Sequence, residues 1–224
     1  EIGDHGSREI DAIRIEPEVY APITAAPREA DAPLVTIPSR PSAAFLDLPM
    51  LLGNEPADAG YFVAMMRPWP GAVALYSSPE TSGFTLRALA TLPATMGETV
   101  DDLAPGPPGR LSKANVLRVR LDYGTLSSAS DLALLSGANA AAIEHAPGHS
   151  EIIQFRDATL IAPSTYALTM LIRGQQGTEG TIGGALPAGA RFVLLDAALT
   201  SLDLGPDDIG LPFNWRFGPS NRDL

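Results

Sequence analysis

Three apolar runs, separated by turn-forming residues, lie within residues 151–196 and constrain the fold more than any other part of the chain. The runs span residues 152–155, 166–172 and 192–195, and their lengths and side chains are typical of β-strands. Residues 162–164, Ala-Pro-Ser, favour a tight reversal, because proline presets φ and serine can hydrogen-bond to its own backbone. The segment therefore predicts a meander of antiparallel strands.

The break between the second and third runs is a long polar loop, residues 173–180, which contains three glycines. Its glycines match neither the dinucleotide-binding pattern nor the P-loop, which also needs a lysine and a following helix. We predict instead that this loop binds a partner protein and that Arg173 and Glu179 pair across its tip. The predicted partner-binding residues of the loop are Arg173, Gln175, Gln176 and Glu179.

A second candidate for partner binding is Trp69, in the turn Pro68-Trp69-Pro70-Gly71. Apolar runs at residues 60–67 and 72–77 flank this turn and predict a β-hairpin. Trp69 at its tip would then be either an exposed anchor for a partner or a cap folded back onto the sheet. Both interpretations remain open from the sequence.

The remaining strand predictions come from apolar runs and alternating patterns. Residues 116–123 alternate most cleanly, with Arg118 and Arg120 on the polar face, and predict a half-solvated strand. Serines before Asp131 predict one short helix that ends at Gly137. Further strands are predicted at residues 12–15, 83–92 and 213–217, with an edge strand or docking segment at 43–53.

Glycine and proline are abundant, with 21 of each among 224 residues, which favours many short strands over long helices. The predicted fold class is therefore mainly β, an antiparallel barrel or sandwich with a Pro-rich linker arm and at most one or two short helices. Cysteine is absent, which excludes disulfides and thiolate metal sites. The net charge of −11 argues against nucleic-acid binding, and no apolar run is long enough to cross a membrane.

Three segments are predicted from composition. Residues 1–42 combine an acidic strand with a Pro-rich arm, which is either an exposed connector or a wrap around a neighbouring subunit. Residues 43–200 form the β-rich domain. Residues 201–224 form a connector strand that leads into a further module, as expected for a piece of a longer polypeptide.

The sequence contains few candidate residues for catalysis or metal binding. Glu144, His145, His149 and Glu151 crowd together and are suited to a divalent metal. The intervening Pro147-Gly148 breaks any helix that would align them, so a polar hairpin tip is the favoured interpretation. No G-x-S-x-G motif occurs. We therefore predict no enzymatic activity, no metal and no cofactor.

Several strings in combination resemble the large baseplate protein of gene transfer agents and related phage tail-tip proteins. The strings are QFRDATLIAPSTYALTMLIRGQQGTEG at 154–180, AGARFVLLD at 188–196, DLPMLLG at 47–53, PWPGAVALYSS at 68–78, NVLRVRLDYGTLSSASDLALLSGANAAAI at 115–143 and FNWRFGPSNR at 213–222. The resemblance covers most of residues 10–222 and corresponds to the C-terminal part of that family.

The resemblance implies a structural role in a phage-like tail baseplate. It implies docking to other baseplate proteins and to tail fibres, a homotrimer at the tail tip, and a location in the particle tail during cell attachment and DNA delivery. Two other functions stay open. A carbohydrate-binding module would need a row of exposed aromatic side chains, and a polysaccharide hydrolase would need two carboxylates about 5–10 Å apart across a cleft.

Overall fold

The computed structural model describes residues 12–14, 39–51 and 60–222. Contacts within the chain separate two compact units, Glu1–Thr36 and Ile37–Leu224. In the first unit residues 12–14 form no regular secondary structure, so the strand predicted at 12–15 is wrong over those residues. Ile15 and most of the Pro-rich arm lie outside the described residues. The predicted divisions after residues 42 and 200 stay predictions.

The second unit is mainly β. Its elements in chain order are β1 (Ser42–Leu46), β2 (Tyr61–Met65), β3 (Val73–Ser78), β4 (Thr85–Ala90), β5 (Met96–Thr99), β6 (Leu111–Ser112), β7 (Leu117–Tyr123), α1 (Asp131–Leu135), β8 (Ala140–Ala146), β9 (His149–Ala162), β10 (Thr165–Gln175), a 3-10 helix (Glu179–Gly183), β11 (Arg191–Leu194), β12 (Thr200–Ser201), a 3-10 helix (Pro206–Asp208) and β13 (Asn214–Pro219). This composition confirms the predicted fold class, including a single short α-helix among the described residues.

Six antiparallel strands close into a barrel in the order β10-β7-β5-β11-β8-β9, because β9 also pairs with β10. The three strands predicted within residues 151–196 are confirmed as β9, β10 and β11. The predicted reversal joins β9 to β10, and Ser164 adopts a φ of 54° there. The short β6 pairs with Leu171 and Ile172 of β10, beyond the residues of β10 that pair with β7.

Alternation along β7 sorts its side chains between the barrel interior and solvent, as the sequence predicts. Leu117, Val119 and Leu121 are buried, whereas Arg118 and Arg120 are exposed. The interior is filled by large apolar side chains from other strands too, including the fully buried Phe155, Phe192 and Leu168. Burying each such side chain stabilises the fold by about 1.5–3 kcal/mol relative to exposure.

Two three-stranded sheets complete the unit, in the orders β1-β2-β12 and β13-β3-β4. The β1-β2-β12 sheet is covered on both faces, because side chains of β2 alternate between two apolar clusters. Tyr61 and Val63 pack with barrel residues such as Ile152. Phe62 packs with β3 residues such as Leu75. The unit is thus built in three layers: barrel, middle sheet and outer sheet.

The hairpin predicted between residues 60–67 and 72–77 is wrong. Its two strands exist as β2 and β3, but β2 pairs with β1 and β12 while β3 pairs with β4 and β13. A strand that is buried on both faces needs neighbours in the layers above and below it, so the turn carries the chain between layers. Trp69 is half-buried against the apolar cluster that Phe62 and Leu75 share. This position agrees with the capping interpretation.

The remaining predicted elements are present. The segment at 43–53 contributes the edge strand β1, and the strand at 213–217 is β13, which pairs with β3 along its length. The short helix α1 begins after Ser130, whose hydroxyl accepts a hydrogen bond from the Ala133 N–H at 3.2 Å. That bond satisfies one of the free donors of the first turn.

Candidate docking cleft

A cleft of about 700 Å³ lies on the outer surface of the barrel, beside the middle sheet. Its residues come from β9 (Ile152 and Gln154), from the turn after α1 and from the connection between β11 and β12, which contributes Leu195 and Leu199. Asp196 is the one ionisable carboxylate among the described residues that line it. We call this feature the docking cleft. A largely apolar concave surface with a few polar groups is typical of binding sites.

Hydrogen bonds from β9 hold the cleft in shape. The Gln154 side chain donates through Nε2 to the carbonyls of Leu134 at 2.8 Å and Ala138 at 3.0 Å, which fixes α1 and its following turn to the barrel. The Ile152 N–H donates to Thr178 Oγ1 at 2.9 Å, and that hydroxyl donates to the Gln175 carbonyl at 2.7 Å. The loop after β10 is therefore anchored to the same strand that forms the cleft.

Two of the predicted partner-binding residues, Gln175 and Gln176, line the docking cleft. Glu179 is exposed at the start of the 3-10 helix that follows. Trp69 is not among the cleft residues. The structure thus brings together the two glutamines, leaves Glu179 on the neighbouring surface and places Trp69 against a different apolar cluster. The role of these residues in partner binding stays a prediction.

Arg173 does not lie at the loop tip. Its side chain is 0% exposed and pairs with Glu151, which is also 0% exposed, so the predicted pairing of Arg173 with Glu179 is wrong. The guanidinium makes two contacts with that carboxylate, of which Nη2 to Oε2 is 2.6 Å. Its Nη1 donates to the Ala104 carbonyl at 3.0 Å. A charge inside a barrel needs a partner of opposite sign, because removing an ion from water is costly.

The Glu151 carboxylate has two further neighbours. The Gly174 N–H donates to it at 3.2 Å, and His145 Nε2 lies 3.0 Å from Oε2. Glu144 instead contacts Arg191 at 3.3 Å. No group of three or more His, Asp or Glu side chains suited to hold a metal ion occurs in the described part of the chain.

Alternation along β9 was the available signal for this buried pair. Residue 151 has the same parity as Ile153 and Phe155, both of which face the interior. A carboxylate at that position therefore predicts a buried charge that needs a cation. Which cation pairs with it does not follow from the pattern of β9, because Arg173 approaches from another strand.

Arg156 joins α1 to the barrel on the outside. It donates to Asp157 at 2.9 Å and to Asp131, in the first turn of α1, at 3.1 Å. Hydrogen bonding to Asp157 and Asp131 raises the pKa of Arg156, and the same guanidinium lowers the pKa of Asp157. These contacts keep the helix beside the docking cleft.

A row of aromatic side chains runs across β13 and β1. Phe213 and Trp215 have ring centroids 5.9 Å apart, and Trp215 and Phe45 are 5.1 Å apart. Phe45 is 41% exposed. Phe213 and Trp215 are half-buried, and Trp69 is not among the paired rings of this row.

Together the fold and the cleft define a β-barrel module with a largely apolar docking cleft and layered flanking sheets. Within this module, residues 94–193 match the family described as Rcc01698-like, C-terminal, a name associated with gene transfer agents. The match covers β5 to β11 to within one residue, which is the closed barrel. No curated protein matches the chain. None of the helices among the described residues is both long and apolar enough to cross a membrane.

Proposed function

We propose that this chain is a structural part of a phage-like tail baseplate, of the kind found in gene transfer agents. The observation that carries the proposal is the match of its whole barrel to the Rcc01698-like C-terminal family. The module would dock neighbouring baseplate subunits and tail fibres, as part of a homotrimer at the tail tip, during cell attachment and DNA delivery.

The geometry supports docking rather than catalysis. Among the residues that the structure describes, the cleft is lined mainly by apolar side chains, with Asp196 as the single carboxylate and glutamine, serine and Tyr61 side chains as the other polar groups. A glycoside hydrolase needs two carboxylates that face each other across the substrate. The described residues that line the docking cleft do not supply such a pair.

Rigidity of the cleft favours specific docking. The bonds from Gln154 and Thr178 join the helix, the β10 loop and β9 into one frame. A preformed surface loses less conformational entropy when a partner binds. In this mode the partner would place an apolar anchor in the cleft and hydrogen-bond to Gln175 and Gln176 at its border.

The first test locates the chain in the particle. An affinity tag on the full-length protein should be found at the tail tip by electron microscopy of purified particles. Absence of the tagged protein from particles that remain complete would refute the proposal.

A second test addresses the docking surface. Gln176→Arg should lower the occupancy of tail fibres or neighbouring subunits, because it adds bulk and a positive charge at the border of a largely apolar cleft. Lys113→Ala, on an exposed loop outside the cleft, should leave occupancy unchanged. Equal occupancy in both variants would show that the cleft border is not the docking surface.

A carbohydrate-binding function is the second candidate, and the aromatic row of Phe213, Trp215 and Phe45 favours it. Glycan-array binding by the chain should then be lost in Trp215→Ala or Phe45→Ala. Trp69→Ala serves as the matched aromatic control and should keep binding. An array without any signal would eliminate this candidate.

A further inference from the structure

The tip of the β9–β10 hairpin, residues 159–164, exposes apolar side chains at a turn that no other described element covers. Leu160 is 60% exposed and Ile161 is 49% exposed. All six residues of the tip are exposed. Neighbouring strand residues point to opposite faces. A flat partner surface would therefore cover only one of the side chains of Leu160 and Ile161. A concave surface that surrounds the tip covers both.

The charge pattern of the tip restricts what can receive it. No charged residue occurs from Ala158 to Met170. The receiving surface therefore needs apolar walls and few ions, because an unpaired charge buried against the tip would be costly. The docking cleft has this character, with Leu195, Leu199 and Ile152 among its walls and Asp196 as the one carboxylate among its described residues.

The hairpin tip and the docking cleft are matched in size but lie too far apart within one molecule to touch. A volume of about 700 Å³ admits the two side chains of the tip together. Leu160 lies eight residues along β9 from Ile152, a cleft residue, which is roughly 26 Å at about 3.3 Å per strand residue. The tip of one molecule therefore cannot reach its own cleft.

We propose that the hairpin tip of one copy inserts into the docking cleft of a second copy. Such a contact joins two different surfaces, so it is heterologous and generates a closed ring or an open filament. This contact between copies is one form of the proposed docking function, and the inference rests on that function. Self-association of the isolated chain is measured without particles, so either proposal can fail while the other stands.

The test uses the whole 224-residue chain in analytical ultracentrifugation from micromolar to near-millimolar concentration. Wild type should associate with increasing concentration. Leu160→Asp should weaken association by about tenfold or more, because it would bury an unpaired carboxylate against the apolar walls of the cleft. Ile209→Asp adds the same charge at a side chain that is 63% exposed elsewhere, and it should associate like wild type.

Mixing two variants identifies the contact as tip against cleft. Ala197→Glu adds bulk and charge at an exposed cleft residue, and it should weaken association to a similar extent as Leu160→Asp. A mixture of the two variants keeps one intact tip and one intact cleft, and it should form a dimer at concentrations at which each variant alone is monomeric. Circular dichroism should show that both variants remain folded.

Ionic strength gives an independent readout. Each copy carries a net charge of −11, so added salt should strengthen the contact by screening repulsion between copies. The proposal is overturned if wild type stays monomeric at every concentration and salt level, if folded Leu160→Asp associates like wild type, or if the mixture remains monomeric.

Discussion

The buried pair of Arg173 and Glu151 provides the sharpest test of how this barrel is stabilised. Arg173→Met keeps a similar length and removes the charge. It also removes the two contacts with Glu151 and the hydrogen bond to the Ala104 carbonyl. The carboxylate, at 0% exposure, is left without its cation.

The expected loss in the free energy of unfolding follows from the complete burial of the Glu151 carboxylate. Removing one member of a fully buried ion pair typically costs about 3–5 kcal/mol. A chain of this size loses about 2–4 °C in Tm for each kcal/mol, so the Tm should fall by roughly 6–20 °C. The free energy of unfolding should be measured by urea titration, with Trp fluorescence and circular dichroism as parallel probes.

Two further variants separate the buried charge from simple loss of packing. Glu151→Gln combined with Arg173→Met removes both ions and should recover a large part of the lost stability. Arg118→Met breaks an exposed pair with Asp101, in which the side chains are 51% and 48% exposed, and should cost less than about 1 kcal/mol. If Arg173→Met costs no more than Arg118→Met, the reasoning about the buried pair is refuted.

Three other perturbations have defined outcomes. Gly97→Ala would place a Cβ 2.0 Å from the Arg120 carbonyl oxygen, so it should destabilise the fold in urea titration by about 1–3 kcal/mol, and an unchanged midpoint would contradict the close approach of β5 and β7. Phe155→Ala in the barrel interior should cost about 3–5 kcal/mol in the same assay, whereas a cost below about 1 kcal/mol would mean that this ring does not fill the core. The backbone N–H of Gly205 and then Arg87 lower the pKa of Asp208 below its ordinary value of 3.8. A lowered pKa means that its stabilising contribution is present above that ordinary value and is lost as pH falls through the folded value. Asp208→Asn should therefore flatten the stability profile on the acid side of about pH 4, and an unchanged acid profile would argue against the interaction.

Local pattern was enough to predict most strands. Residues 116–123 alternate because one face of β7 meets the barrel interior and the other meets water. The reversal at residues 162–164 depends on proline and serine chemistry that acts within a few residues. These features need no knowledge of distant parts of the chain.

Local sequence pattern does not predict which strands pair with each other. Thr200 in β12 lies beside Phe62 in β2, although 138 positions separate them. Apolar runs near a proline turn predicted a local hairpin instead, and the middle sheet has no signature in either run alone. The sequence leaves the position of Trp69 open for the same reason, because the cluster that Trp69 packs against is assembled from β2, β3 and β4.

The residues of the predicted binding loop also differ in how well the sequence predicts their positions. The polar, glycine-rich pattern of the loop predicts that Gln175 and Gln176 are accessible to a partner, and folding places both beside the docking cleft. Arg173, predicted in the same loop, lies instead in β10, and its buried side chain pairs with the carboxylate of Glu151 on β9. The position of a polar residue close to a turn does not show whether the residue is still part of a buried strand or already part of the exposed loop.

The order of apolar and polar residues by itself determined that this chain forms short paired strands with a small helix, because side-chain periodicity and turn chemistry act over a few residues. Only the tertiary structure decided that the strands close into a barrel, which charges lie inside it and where a cleft forms. Those outcomes depend on contacts between segments far apart in the chain, whose free energy is gained only when all of them assemble.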